Sequence, residues 1–114
     1  MNPNKPLTIK LNKEFRTAYY HGTSQVHPAL VTYVRRNRVG VTRVGITTGK
    51  KIGSAVVRNR CRRVIREAYR ALFPGLKAGY DIVFVARART AAVKSTALTG
   101  VMAAHLRKAG VLPG

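Results

Sequence analysis

Residues 55–70 read AVVRNRCRRVIREAYR, six arginines in sixteen residues with apolar residues threaded between them. The apolar spacing is that of a helix. At 100° per residue from Arg58, the side chains of Val57, Cys61, Val64, Ile65, Ala68 and Leu72 fall between about 240° and 340°. Arg58, Asn59, Arg62, Arg63, Arg66 and Arg70 fall between 0° and about 140°. Arg60 lies near ~200°, beside Glu67 near ~180°. One face can fasten to a sheet while the opposite face stands out as a cationic ridge. A helix that needed only solubility would mix in acids, and here Glu67 is alone.

The rest of the chain sharpens that asymmetry. Its 114 residues suit one domain, taken as 1–114, and 46% apolar content suffices for a core. Twenty-two Lys and Arg oppose only Glu14, Glu67 and Asp81, a net charge of +19. Such a surface repels itself unless a polyanion neutralises it, and nucleic acid fits better than an acidic membrane. No run approaches the ~18 apolar residues of a spanning helix. The start, MNPNKPLTIK, lacks the apolar core of a secretory signal, so a cytoplasmic protein is expected. Cys61 is the only cysteine and falls on the apolar side of its helix, where a small buried thiol is expected.

Along the chain, residues 1–10 read as a loose, basic arm. Asn12 can cap a short helix, KEFRTAYYH, that stops at Gly22. ALVTYVRR alternates and is rich in β-branched and aromatic residues, a strand. NRVGVT turns the chain, RVGITTG is a second strand, and the basic loop KKIGS leads to Ser54, the expected cap of the arginine helix. That helix ends near FPG, because proline disfavours helical geometry before it. YDIVFVARA is a third strand whose near-continuous apolar run predicts a buried central position. Ser95 or Thr96 caps a last helix with Leu98, Val101, Met102, Leu106 and Ala109 on one side, closed by Gly110. The order helix, strands, helix, strand, helix predicts a small two-layer α+β domain.

The choice of arginine matters. Guanidinium offers a planar fork that grips phosphate in pairs and stacks on bases. Lys50 and Lys51 stand just before the helix start, where free backbone N–H groups also favour anions. Phe15 and Tyr19 share a helix face, and with Tyr33 they could form stacking platforms for unpaired bases. Aromatics flanked by a basic helix suit single-stranded RNA better than duplex, whose bases are hidden.

Other chemistries fail. GITTGKK is not a P-loop: Gly45 and Gly49 enclose three residues rather than four, and Lys51 stands where a magnesium-holding hydroxyl belongs. A two-metal nuclease needs clustered carboxylates, and the three acids are scattered in sequence. His21 and His27, near the first turn, read as surface or turn residues, and His105 as structural. No catalytic residue and no protein metal site is expected.

With RVGITTGKKIGS before it and YDIVFVAR after it, the arginine helix resembles that of the bacterial ribonuclease P protein subunit. The similarity extends to LNKEFRTAYYHGTS and LRKAG and covers about residues 7–110. The resemblance implies a ribonucleoprotein in which a large RNA performs hydrolysis, with magnesium ions held mainly by that RNA. The protein docks on the RNA, grips the 5′ leader of precursor tRNA, and so assists removal of the leader. The family fold is a four-stranded sheet packed by helices, with a left-handed parallel crossover against the usual rule. Carried over, Arg58, Asn59, Arg60, Arg62, Arg63 and Arg66 form the RNA-binding motif. Phe15, Tyr19 and Tyr33 line the leader cleft, with Lys50 and Lys51 near its edge. Tyr19 stands where some relatives carry phenylalanine, and Arg62 where many carry lysine; stacking and charge are kept. Neither a membrane nor DNA is an expected partner. Charge alone admits a second reading, a ribosomal or general single-stranded RNA-binding protein without a role in tRNA maturation.

Overall fold

The computed structural model describes residues 7–9 and 12–113. Its elements run β1 (Leu7–Thr8), α1 (Asn12–His21), β2 (Thr23–His27), β3 (Leu30–Arg36), β4 (Arg43–Thr47), α2 (Ala55–Leu72), β5 (Tyr80–Ala86) and α3 (Ser95–Lys108). Short 3-10 turns sit at Lys50–Ile52, Phe73–Gly75 and Ala88–Ala92.

The sheet order is β1-β4-β5-β3-β2. The expected four strands are β2 to β5, and the two-residue β1 extends the β4 edge in parallel. β5 lies at the centre, antiparallel to β3 and parallel to β4, as its apolar run predicts. The β4–α2–β5 connection joins neighbouring parallel strands, and it is the crossover to which the resemblance assigns the left hand.

Side-chain alternation along β3, β4 and β5 sorts two faces. Leu30, Val34, Val44, Ile82, Phe84 and Ala86 meet Cys61, Ile65 and Ala68 of α2 and Leu98, Met102 and Leu106 of α3 in the main core. The sheet and this helix pair are the two expected layers. The short α1 lies over the other face, where Ala18 packs with Ile9 and Val83, and Phe15, Tyr19, Tyr33 and Val85 surround them. Gly22 ends α1 because there is no room for more: a Cβ there would lie 2.5 Å from the Ala18 carbonyl oxygen and 2.8 Å from that of Val34.

Several local expectations hold. Ser54 caps α2, its hydroxyl accepting from the Val57 N–H at 3.3 Å, and Cys61 is fully buried. Gly110 closes α3 with a φ of 83°, a left-handed conformation suited to glycine. The cap of α3 differs. Lys94 is the N-cap and offers no side-chain bond, while Ser95 is already helical, its carbonyl accepting from the Thr99 hydroxyl. Part of the expected N-terminal arm differs too. Leu7 and Thr8 pair with Arg43 and Val44, the Ile9 N–H donates to the Val44 carbonyl, and Ile9 is buried. Residues 1–6 and 10 of that arm lie outside the described residues.

His105 is structural, as expected. It is buried, and its Nδ1 is hydrogen-bonded to the Thr32 hydroxyl at 2.8 Å. Burial, then the nearby His27 and Lys108, lower its pKa from 6.5. The folded state therefore holds the neutral ring where the unfolded chain binds a proton. That contribution is complete above pH 6.5 and is lost as pH falls from 6.5 toward the folded value. Urea midpoints should drop between about pH 7 and pH 5, and H105Q should flatten that slope. An unchanged slope in the variant would remove His105 as its source.

Candidate RNA interface

α2 presents its arginines in two directions. Arg62, Arg66 and Arg70 line a groove of about 440 Å³ together with Ile9, Phe15, Val44, Gly45, Ile46 and Tyr69. A second groove of about 590 Å³ shares Phe15, Ile46 and Arg62 with the first, and adds Asn12, Arg16, Tyr19, Thr47 and Thr48. The shared residues make one continuous cleft along β4, walled by α1 on one side and α2 on the other. β1 pairs with β4 only at Arg43 and Val44, so the cleft runs past the end of that pairing. On the other side of the helix, Val56, Asn59, Arg60 and Arg63 line a smaller depression of about 380 Å³.

The predicted motif residues divide between these surfaces. Arg62 and Arg66 face the cleft, while Asn59, Arg60 and Arg63 face away from it. All five are exposed. Arg58 is half-buried, and its Nε has no hydrogen-bond partner among the described residues. Arg60 is steadied by its Nε donating to the Ala91 carbonyl at 2.9 Å. Glu67 lies 4.0 Å from Arg63, with both groups exposed, and so offsets little of the ridge's charge.

The aromatic trio comes together. Tyr19 and Tyr33 meet edge-on with ring centres 5.0 Å apart, and the Tyr19 hydroxyl shares a hydrogen bond of 2.9 Å with that of Thr47. Phe15 and Tyr19 line the cleft, whereas Tyr33 backs Tyr19 from the sheet. Lys50 and Lys51 are exposed on the turn that follows Thr48 but are not part of the cleft wall. Arg16 and Arg70 join the cleft wall beyond the residues that the resemblance assigns to RNA binding. Arg16 could have been found: it stands one residue from Phe15 and three from Tyr19, on a helix face that rises along the cleft.

Two of the three acids anchor this architecture. Arg43 donates from Nε and Nη2 to the two carboxylate oxygens of Asp81, at 2.9 and 2.8 Å, and from Nη1 to Glu14. Asn37 donates to Asp81 as well, at 2.8 Å. The bond to Asp81 raises the Arg43 pKa, with a smaller contribution from Glu14 overcoming part of the opposing burial. The network ties the first turn of α1 to β4 and β5, one residue before Phe15. It also engages two of the chain's three carboxylates. Among the described residues no group of three or more His, Cys, Asp or Glu is placed so that it could hold a metal ion. Nor, among those residues, is any helix long and apolar enough to cross a membrane.

A family model described as Ribonuclease P matches residues 4–110. The chain belongs to the ribonuclease P family. The Ribonuclease P protein component of Clostridioides difficile (strain 630) is 46% identical over 88 residues, covering 76% of this chain and 77% of the relative. That of Clostridium botulinum (strain 657 / Type Ba4) is 40% identical over 112 residues, 97% and 98% of the two chains. Among solved structures, the Staphylococcus aureus RNase P protein aligns with a TM-score of 0.81 at 30% identity, covering 95% of this chain and 99% of its own. The RNase P protein from Thermotoga maritima aligns with a TM-score of 0.76 at 25% identity, covering 88% and 96%. Within this ribonuclease P family chain, the two-sided arginine helix is the feature that binding must explain.

Proposed function

We propose that the chain is the protein subunit of a bacterial ribonuclease P, working in the cytoplasm, and that its cleft holds the 5′ leader of precursor tRNA. The observation that carries this reading is the joining of Phe15 and Tyr19 to Arg62, Arg66 and Arg70 in one open cleft. Phosphates of a single strand lie against the guanidinium forks while unpaired bases stack on the rings. The outward side of α2, with Asn59, Arg60 and Arg63, docks on the catalytic RNA. That RNA binds the magnesium ions and performs the hydrolysis. The protein's own groups bind, orient and neutralise.

Reconstitution with the catalytic RNA tests this. The protein alone should not cleave precursor tRNA, and its addition should raise cleavage at low magnesium and favour leader-bearing over leaderless tRNA. Equal affinity for both substrates would support the general RNA-binding reading instead. Salt separates the two parts of the cleft. Neutralising roughly six to eight phosphates gives a log–log affinity slope of about −4 to −7. R62A with R66A should reduce that slope by about 2. Y33A, which withdraws the support under Tyr19, should weaken leader binding at nearly constant slope. If both changes move the slope equally, charge and stacking are not separate here.

A further inference from the structure

Tyr69 breaks the pattern of its own helix. It falls at ~20° from Arg58, inside the arginine sector, yet it is only 2% exposed. Its ring meets Phe84 edge-on at 5.6 Å and tilts against Phe73 at 6.1 Å. Phenylalanine would serve those apolar contacts as well. The hydroxyl is what remains to be explained: it is buried and has no hydrogen-bond partner among the described residues. A buried hydroxyl without a partner weakens the fold that contains it. Tyr69 also lines the cleft wall beside Arg62, Arg66 and Arg70. Burial raises the phenol pKa, so the oxygen keeps its proton and remains a donor.

We propose that the Tyr69 hydroxyl is a specificity-determining donor to a phosphate oxygen of the RNA strand seated among Arg62, Arg66 and Arg70. The guanidinium groups supply charge. The phenol supplies one directional O–H···O bond that fixes where along the cleft a phosphate comes to rest. The hydroxyl is covered in the free protein, so contact requires the surrounding side chains to move aside; Arg66 and Arg70, exposed on the same groove, can change rotamer on the ps–ns scale. The inference rests on the reading of this cleft as the leader site.

The test is Y69F, which removes a single oxygen. The variant is reconstituted with the catalytic RNA, its affinity is measured for precursor tRNA with and without a leader, and the free protein is melted. Affinity for the leader-bearing substrate should fall about three- to tenfold, the worth of one net hydrogen bond. Leaderless tRNA should bind as before, the salt slope should hold because a phenol is neutral, and the melting temperature should stay level or rise. Unchanged affinity for the leader-bearing substrate overturns the proposal. So does an equal loss on both substrates, or a lower melting temperature, since either assigns the oxygen to docking or to the fold. Wild-type protein that shows no preference for a leader overturns the reading of the cleft itself, and Tyr69 falls with it. A preference shared equally by wild type and variant removes Tyr69 alone.

Discussion

R43A should cost about 3–5 kcal/mol of folding stability, read from urea unfolding, because it strands a buried carboxylate. Asp81 is 3% exposed, and Arg43 meets both of its oxygens. Removing the guanidinium leaves Asn37 as the side-chain donor to that charge among the described residues. R43K should fall between wild type and R43A, since an ammonium cannot match a fork that serves two oxygens of Asp81 while reaching Glu14. Replacing both partners, R43M with D81L, should recover part of the loss by withdrawing the buried charge altogether. The functional consequence is separate. Glu14, one residue before Phe15, loses its bond to Arg43 on β4, so leader affinity should fall in R43A even where the protein is fully folded. A stability loss below about 1 kcal/mol would put the pair among ordinary surface ion pairs and end this account.

That network shows where reading from sequence succeeds and where it stops. α2 was legible because its period of 3.6 residues carries two strongly contrasting chemistries, and β5 because an unbroken apolar run has few places to go but the middle of a sheet. β2 had no such signal. TSQVH carries one large apolar residue, Val26, and forms an edge strand with no buried residue. Backbone pairing of Leu7–Thr8 is invisible for a related reason: two residues cannot display a period. Tyr69 lies among the arginines by its position along the helix, yet it is buried. A wheel locates Cα directions, whereas a long side chain in a helix leans back over the preceding turn and can reach the core from the border of a polar face. The cleft as a whole joins residues from α1, β4 and α2, and its existence depends on where β1 stops pairing. The residue types were readable; the juxtaposition belongs to the tertiary structure.

Gly45 gives the sharpest test of that juxtaposition. A Cβ built there would lie 2.5 Å from Cε1 and 2.6 Å from Cζ of Phe15, closer than such atoms approach in folded proteins. The tip of the ring can come this close to β4 only because position 45 has no side chain. G45A should therefore lift Phe15 off its seat and weaken leader binding about as much as F15A does, within the ~1–3 kcal/mol that one stacked base is worth. The two changes should not add. Once the ring is gone, the methyl group at 45 has nothing to strike, so G45A in an F15A background should cost little further binding. It should also recover stability lost to overpacking, which is typically ~1–3 kcal/mol. Strict additivity in leader affinity would mean that Gly45 and Phe15 act independently. The contact that sets the cleft's floor would then not be the one that seats its stacking platform.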